Sequence, residues 1–170
     1  MLRFVFRRLP TALVLACLAS PPSTLASDHP AREVSTPSPG LRLTASLDHS
    51  RLQPGRSVQL KVELRNEGTG QAPIAGGGRC NPALQLAIWD ASDGVVWAQG
   101  LPLCLEPQGH PPILLSSSSS VSATQCFGLA ADPGRPGGSC VLLDLPPATY
   151  WVGGSFHGMT LPRVKFTLVR

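Results

Sequence analysis

The sequence predicts an all-β fold, a β-sandwich of about seven antiparallel strands. In several short segments apolar residues alternate with polar ones, which is the period of a strand with one buried face. Seventeen glycines and eighteen prolines interrupt the chain so often that no segment of the domain has the length and period of an amphipathic helix. Short strands separated by turns at such intervals are typical of a sandwich.

The first two predicted strands lie at the start of the domain. Apolar residues occupy every second position of Leu41–Leu47 and again of residues 58–64. Between these segments, residues 52–55 (LQPG) carry the proline and glycine of a turn. The pattern predicts two half-buried antiparallel strands.

A β-hairpin in the middle of the domain is the clearest local prediction. Alternating apolar residues lead to a turn at residues 91–94, which ends in Asp-Gly, a pair that tolerates the positive φ of a tight hairpin. With this turn, Asp90 lies opposite Val95 and Ile88 lies opposite Trp97. We therefore expect Trp97 to be buried beside Ile88.

The last third of the domain repeats the strand pattern. The serine run at residues 116–120 is interpreted as a polar turn that enters a strand, because apolar residues precede and follow it. Residues 141–145 form a short apolar segment before two prolines. Tyr150 then enters a late strand, where we expect its hydroxyl to bond nearby backbone. The final strand has alternating apolar residues at Val164, Phe166 and Leu168.

Residues 1–26 have the three parts of a secretion signal. Three arginines and no acidic residue precede the apolar segment 11–19, and small residues at positions 24 and 26 offer a cleavage site. The apolar segment is shorter than the roughly 20 residues that span a bilayer. We therefore expect an extracytoplasmic protein, secreted or periplasmic, whose mature chain begins at Ser27.

Cys17 leaves a second route open. Residues 14–17 (VLAC) are similar to a lipobox, in which the cysteine becomes the lipidated first residue, although Leu15 stands where a smaller residue is usual. On that interpretation the protein is anchored to the envelope, and we expect contact with a membrane only in this case. Cleavage after Ala26 is the interpretation we prefer, and it releases a soluble product.

Residues 27–40 are predicted to be a linker rich in proline and serine, and residues 41–170 a single domain. The linker has few large apolar groups and no period, so it buries too little surface to offset the entropy of ordering. Three of the fourteen Lys and Arg lie in the signal and all ten Asp and Glu follow it, which leaves a net charge of +1. The remaining basic residues are scattered, so we expect no nucleic-acid partner.

The mature chain keeps four cysteines, Cys80, Cys104, Cys126 and Cys140, and an even number in an exported chain predicts two disulfides. Continuing the hairpin register outward brings the first two together, and the Pro/Gly-rich segment between the last two lets them meet. Of three connectivities we therefore choose Cys80 with Cys104 and Cys126 with Cys140. Zinc is the alternative, which the absence of a C-x-x-C pair and the spacings of 24, 22 and 14 residues disfavour.

The sequence contains no motif of an enzyme or a cofactor site. His29, His49, His110 and His157 are scattered, and there is no G-x-S-x-G, H-E-x-x-H or phosphate-binding glycine loop. Ser155 and His157 would share one side of a strand, but any two residues at i and i+2 do so. We expect no enzymatic activity, no metal and no cofactor.

Three segments also carry a family resemblance. They are residues 84–97 (LQLAIWDASDGVVW), the polar turn and strand at residues 116–123, and residues 145–150 (LPPATY). In this order they resemble the BsuPI-type domain, a family named for an intracellular subtilisin inhibitor of bacilli, over residues 52–168. Ala148 stands where the family usually has glycine, and export and four cysteines are further departures. The resemblance implies an immunoglobulin-like sandwich and, less directly, proteinase inhibition.

The functions that remain are those of a binding protein. We expect an exported, non-enzymatic module that binds an unidentified protein or ligand of the bacterial cell envelope through a sheet face or its end loops. The alternative is a protease inhibitor that acts through a disulfide-braced loop from Phe127 to Ser139. Sandwich folds serve many unrelated functions, so the fold does not decide between the two.

Overall fold

The computed structural model describes residues 29–78, 82–100, 110–129 and 140–169. All regular secondary structure in these ranges is β-strand, and no helix that could cross a membrane occurs there. The strands are β1 (Ala31–Ser38), β2 (Leu41–Leu47), β3 (Arg51–Leu52), β4 (Val58–Asn66), β5 (Ala72–Ile74), β6 (Leu84–Trp89), β7 (Val95–Ala98), β8 (Ile113–Leu115), β9 (Ser120–Leu129), β10 (Val141–Leu143), β11 (Ala148–Phe156) and β12 (Met159–Leu168). Among these described strands, seven have six or more residues.

The strands form two five-stranded sheets and a small ribbon. Sheet A has the order β1-β2-β4-β9-β10, and sheet B has the order β3-β12-β11-β6-β7. The ribbon is the antiparallel pair β5 and β8. Most neighbours are antiparallel, while β10 runs parallel to β9 and β3 runs parallel to β12. The prediction of an all-β sandwich of antiparallel strands is confirmed.

The core lies between the two sheets. Every second residue of β2 and of β4 is buried, and the residues between them are exposed or half-buried. The buried residues of sheet B face those of sheet A, and strand β12 of sheet B packs against β1 and β2 of sheet A. Each buried aliphatic side chain contributes about 1.5–3 kcal/mol relative to an exposed one. A small void between the sheets is lined from both sides by Leu47, Val58, Phe127, Leu52, Val152 and Phe166.

The linker prediction is wrong for most of residues 27–40. Ala31–Ser38 forms strand β1, which pairs antiparallel with β2 along the edge of sheet A. The segment has no apolar alternation because only Ala31, Ser35 and Ser38 turn even partly inward. Backbone hydrogen bonds to β2 satisfy its peptide groups instead. Charged residues and Pro37 lie on this edge, as is common in strands that must not pair with another chain.

The hairpin prediction holds for the fold of β6 and β7 and fails in one detail of register. Ile88 lies opposite Trp97, as predicted, but Val95 lies opposite Trp89 and not opposite Asp90. A bulge beside Ile88 introduces the shift. Trp97 is half-buried rather than buried, because β7 is the edge of sheet B, and its ring meets Phe127 edge-on at 5.9 Å.

Asn66 joins two loops at one end of the sandwich, the one that follows β4 and the one between β8 and β9. Its side chain is buried and donates to the carbonyls of Gly70 (2.7 Å) and Leu115 (2.9 Å), while its Oδ1 accepts the N–H of Gly68. Its backbone carbonyl accepts the N–H of Ser118 in the serine turn. The serine run is therefore a turn that enters β9, as predicted. Of the preceding apolar residues, however, only Leu115 is buried.

Tyr150 behaves as the sequence predicts. It is buried in β11, and its hydroxyl donates to the carbonyl of Pro146 at 2.8 Å. The ring packs against Phe166 with centroids 5.8 Å apart. Burial raises the pKa of the Tyr150 phenol, and the charge of Asp90 raises it further.

Removal of β1 tests whether this strand belongs to the folded domain. A chain that begins at residue 41 should have a free energy of unfolding about 2–4 kcal/mol below that of a chain that begins at residue 31, because β2 loses its ladder and part of the core loses its cover. Urea denaturation of both chains measures the difference. Equal stabilities would mean that this segment acts as a linker.

Asn66→Ala should lower the free energy of unfolding by about 3 kcal/mol, because the buried carbonyl of Leu115, the carbonyl of Gly70 and the N–H of Gly68 lose their partners. Asn66→Asp keeps the acceptor for Gly68 but removes both donated bonds, so it should cost a similar amount at neutral pH. Thermal and urea unfolding measure both losses. A loss below about 1 kcal/mol would show that water replaces the amide.

Ionisation of Tyr150 should destabilise the fold in alkali. The phenol ionises near its ordinary pKa of about 10 in the unfolded chain and higher in the folded one, so its stabilisation is full below pH 10 and is lost as pH rises through the folded pKa. Tyr150 is the single tyrosine of the chain, so phenolate absorbance follows it alone. Tyr150→Phe should remove this alkaline loss, and an unshifted titration in the native protein would contradict the assignment.

Candidate binding face on the outer surface of sheet B

Two tryptophans lie side by side on the solvent face of sheet B. Leu86 and Ile88 point into the core, so the next residue of β6, Trp89, points outward. The same alternation in β11 turns Trp151 outward, and the two strands pair with Trp151 directly opposite Trp89. Opposed residues of an antiparallel pair have their Cβ atoms about 5 Å apart. Both tryptophans are half-buried, and each leaves part of its ring in solvent.

Arg163 fixes the position of the Trp89 ring. Its guanidinium carbon lies 4.2 Å from the ring centroid, which is the geometry of a cation–π contact. The same guanidinium forms an ion pair with Asp93 of the hairpin turn. Gly153 makes this arrangement possible, because a Cβ there would lie 3.1 Å from Cγ of Arg163 and 3.3 Å from Cζ3 of Trp89. Any larger residue at this position would displace the ring or the arginine stem.

The two tryptophans are part of a row that crosses four strands. Lys165 lies opposite Trp151 on β12, and Val95 lies opposite Trp89 on β7. Val95 is 60% exposed although it is apolar. We call these four residues and Arg163 the tryptophan face. It has an apolar centre with cationic groups along one side.

The turn of the β6–β7 hairpin is held by Asp90. Its Oδ1 accepts hydrogen bonds from the backbone N–H groups of Ser92 and Gly94, both at 2.9 Å, and from the Ser92 hydroxyl at 2.7 Å. These bonds, the Ser92 hydroxyl first, hold the pKa of the Asp90 carboxyl below its ordinary value. Asp93 follows with a positive φ of 67° and reaches Arg163. The two aspartates therefore have structural roles, as the sequence indicates for Asp in a hairpin turn.

The structure assembles no catalytic group from the histidines it describes. Ser155 lies in β11, but His157 lies beyond the end of that strand in a turn with φ 49°. The His157 ring is buried, and its Nδ1 lies 2.6 Å from the carbonyl of Ala75. The expectation that the two side chains share one side of a strand is therefore wrong. In the described ranges no group of three or more His, Cys, Asp or Glu residues could hold a metal ion.

One of the two predicted disulfides lies within the described residues. Cys126 and Cys140 form a disulfide with a Cα–Cα distance of 4.6 Å, so this predicted pair is confirmed. Cys80 and Cys104, with their predicted bridge, lie outside the described residues, as does Cys17 with its possible lipidation.

The first three residues of the predicted inhibitory loop lie in a strand. The segment from Phe127 to Leu129 belongs to β9 and is buried, because it pairs with β10 and, at Phe127, also with Val58 of β4. These residues are therefore not part of an exposed loop. Residues 130–139, which complete the predicted segment to Ser139, lie outside the described residues.

A second exposed apolar surface lies on the ribbon. Residues 111–114 (PPIL) are four consecutive apolar residues that are all exposed, with Leu114 at 58%. Exposed apolar runs of this length mark contact surfaces in soluble domains. Pro73 lies opposite Leu114 and is also exposed. The ribbon lacks the charged groups that border the tryptophan face.

The tryptophan face could not be predicted from the sequence. Its signal was present, because each tryptophan follows an inward residue of an alternating strand. Their proximity depends on the pairing of β6 with β11, which are distant in the sequence. Local alternation gives the direction of a side chain but not its cross-strand neighbour.

Comparisons with known proteins do not identify a family. No protein-family model matches the sequence, and no curated protein matches it. Among solved structures, the alkylpurine DNA glycosylase AlkC of Pseudomonas fluorescens, bound to DNA containing an abasic site analog, is similar at 12% identity with a TM-score of 0.40. The similarity covers 85% of this chain and 32% of that chain. A likeness at this level carries no argument about fold or function.

Proposed function

We propose that this chain is an exported, non-enzymatic binding module of the bacterial cell envelope, and that it contacts a partner protein through the tryptophan face. Trp89 and Trp151 carry the proposal, because they are the largest apolar side chains on a solvent-exposed sheet face. A tryptophan that only stabilised the fold would be expected in the core, where the described residues place Leu, Val, Ile and Phe.

The composition of the face suits protein recognition. Trp and Arg are the residues that most often dominate the binding energy of protein interfaces, and they do so at the centre of the contact. Arg163 is held by Trp89 and Asp93, so binding would order few additional side-chain torsions. Lys165 stands at the rim and favours a partner with acidic groups opposite it.

Export is supported by the cysteines and the N-terminal sequence. A disulfide between Cys126 and Cys140 is stable in an oxidising compartment, and residues 1–26 have the pattern of a secretion signal. The resemblance to BsuPI-type domains stays a prediction. It is compatible with a binding role, because an inhibitor is itself a protein-binding module.

Binding of the purified protein to isolated cell envelopes of the producing bacterium tests the proposal. Trp151→Ala should weaken the binding measured by sedimentation about tenfold or more, because an interface hot spot contributes about 2 kcal/mol or more. Trp89→Ala should do the same and should also release Arg163. Leu114→Ala is the matched control, since it removes a large exposed apolar side chain from the ribbon, and it should leave binding nearly unchanged.

The outcomes separate the surfaces and the functions. Loss of binding in Leu114→Ala alone would assign the contact to the ribbon and contradict the proposal. Titration against a panel of secreted serine proteases addresses the alternative function. If the protein inhibits a protease and the tryptophan variants inhibit it equally well, the result would favour a protease inhibitor that acts through a surface other than the tryptophan face.

A further inference from the structure

An arginine-rich groove lies on the outer face of sheet A, on the opposite side of the molecule from the tryptophan face. It spans strands β1, β2 and β4 and has a volume of about 200 Å³. Every residue that lines it is polar or charged, and three of the six are arginines. The lining residues are Arg32, Arg42, Thr44, Glu63, Arg65 and Glu67. We call it the arginine groove.

The acidic residues of the arginine groove are already paired. Glu67 lies 3.4 Å from the guanidinium of Arg42, and Glu63 lies 3.7 Å from the ammonium of Lys61. Among the residues that the structure describes, Arg32 and Arg65 form no ion pair within 4 Å. The groove therefore contains two guanidiniums that no carboxylate of the described residues pairs with.

The sheet register places like charges together. Arg42 lies directly opposite Arg65 across strands β2 and β4. Like charges at directly opposed positions destabilise a sheet, so this pairing is not explained by the stability of the fold. Two adjacent guanidiniums are, however, well suited to hold the oxygens of one oxyanion, because each presents a planar fork of N–H donors.

We propose that the arginine groove binds an oxyanion of the phosphate class that is carried on a hydroxyl-bearing molecule. Arg65 and Arg42 hold the phosphate oxygens, and Arg32 adds positive charge from the neighbouring strand. Glu63 and Glu67 accept hydrogen bonds from hydroxyl groups of the same ligand, as carboxylates can accept more than one bond. This site is independent of the tryptophan face and of the function proposed for it.

Because Arg65 has no ion pair among the described residues, it is the residue whose substitution tests affinity for the ligand most directly. Substitution of Arg65 removes a donor fork that no carboxylate within the described ranges engages, so the loss of affinity reflects contacts with the ligand and not an internal ion pair. Arg56 offers a matched control, because it is exposed in the turn between β3 and β4 and lies outside the groove. Arg65→Gln and Arg56→Gln each remove one positive charge, so they change the overall field of the protein equally.

Titration of the purified full chain by two-dimensional NMR at constant ionic strength tests the proposal, with inorganic phosphate and glucose 6-phosphate as probes. Both probes should shift the side-chain N–H signals of Arg65 and Arg42 saturably, and glucose 6-phosphate should bind more tightly. Arg65→Gln should weaken binding about tenfold, the loss expected for a charge-assisted hydrogen-bonding pair, and Arg56→Gln less than about twofold. Unchanged backbone signals in the strands of sheet B, which contain neither substituted residue, will show that the variants are folded.

Two results would overturn the proposal. The first is a shift of the arginine signals that does not saturate. The second is an equal loss of affinity in Arg65→Gln and Arg56→Gln, which would show that binding depends on the net charge of the protein and not on the groove. Sedimentation with phosphatidylglycerol vesicles separates the sources of the phosphate. Binding to vesicles that Arg65→Gln abolishes assigns the groove to a lipid headgroup, and binding of glucose 6-phosphate without vesicle binding assigns it to a free phosphate ester.

Discussion

Each of the two large sheets has one apolar face, and among the described residues it is buried by the other sheet. This constraint fixes the direction of side chains wherever a strand alternates regularly, because a strand that turns Leu43 or Ile88 inward must turn the next residue outward. The same alternation therefore builds the core and selects which residues meet the solvent. On sheet B these include Trp89 and Trp151, and on sheet A they include Arg65. The surfaces proposed for binding are therefore the outward-facing residues of the same strands whose inward-facing residues form the core.

The end of the sandwich near the ribbon depends on polar contacts instead of apolar ones. Asn66 is buried at the end of β4, where a further leucine would extend the core but would leave the carbonyl of Leu115 without a donor. Its amide replaces the backbone partners that the loops lack. His157 has a similar role at the β11–β12 turn, where its ring lies within hydrogen-bond distance of the carbonyl of Ala75. Loops of this length keep their shape because individual side chains bind their backbone atoms.

Local patterns in the sequence predicted the strands better than their partners. The β6–β7 hairpin and the hydroxyl bond of Tyr150 could be predicted because their partners lie within a few residues. Strand β1 could not, since an edge strand needs neither alternation nor large apolar residues to form a ladder. The bulge that moves Val95 opposite Trp89 is another case, because nothing in the turn sequence specifies where an extra residue is accommodated. The candidate site was missed for a related reason, as it depends on the long-range pairing of two strands.

The disulfide between Cys126 and Cys140 links β9 to the edge strand β10 of sheet A. Strand β10 has three residues and runs parallel to β9, with Val141 opposite Phe127, and the two cysteines immediately precede this first pair. A ladder of three residues is too short to define its own alignment, and a slip by one would exchange Leu142 with Leu143 between solvent and core. The covalent link excludes that slip, since the sulfurs meet in one alignment only. The oxidised cysteine pair therefore holds the edge strand β10 in the register that buries Leu143 against the core.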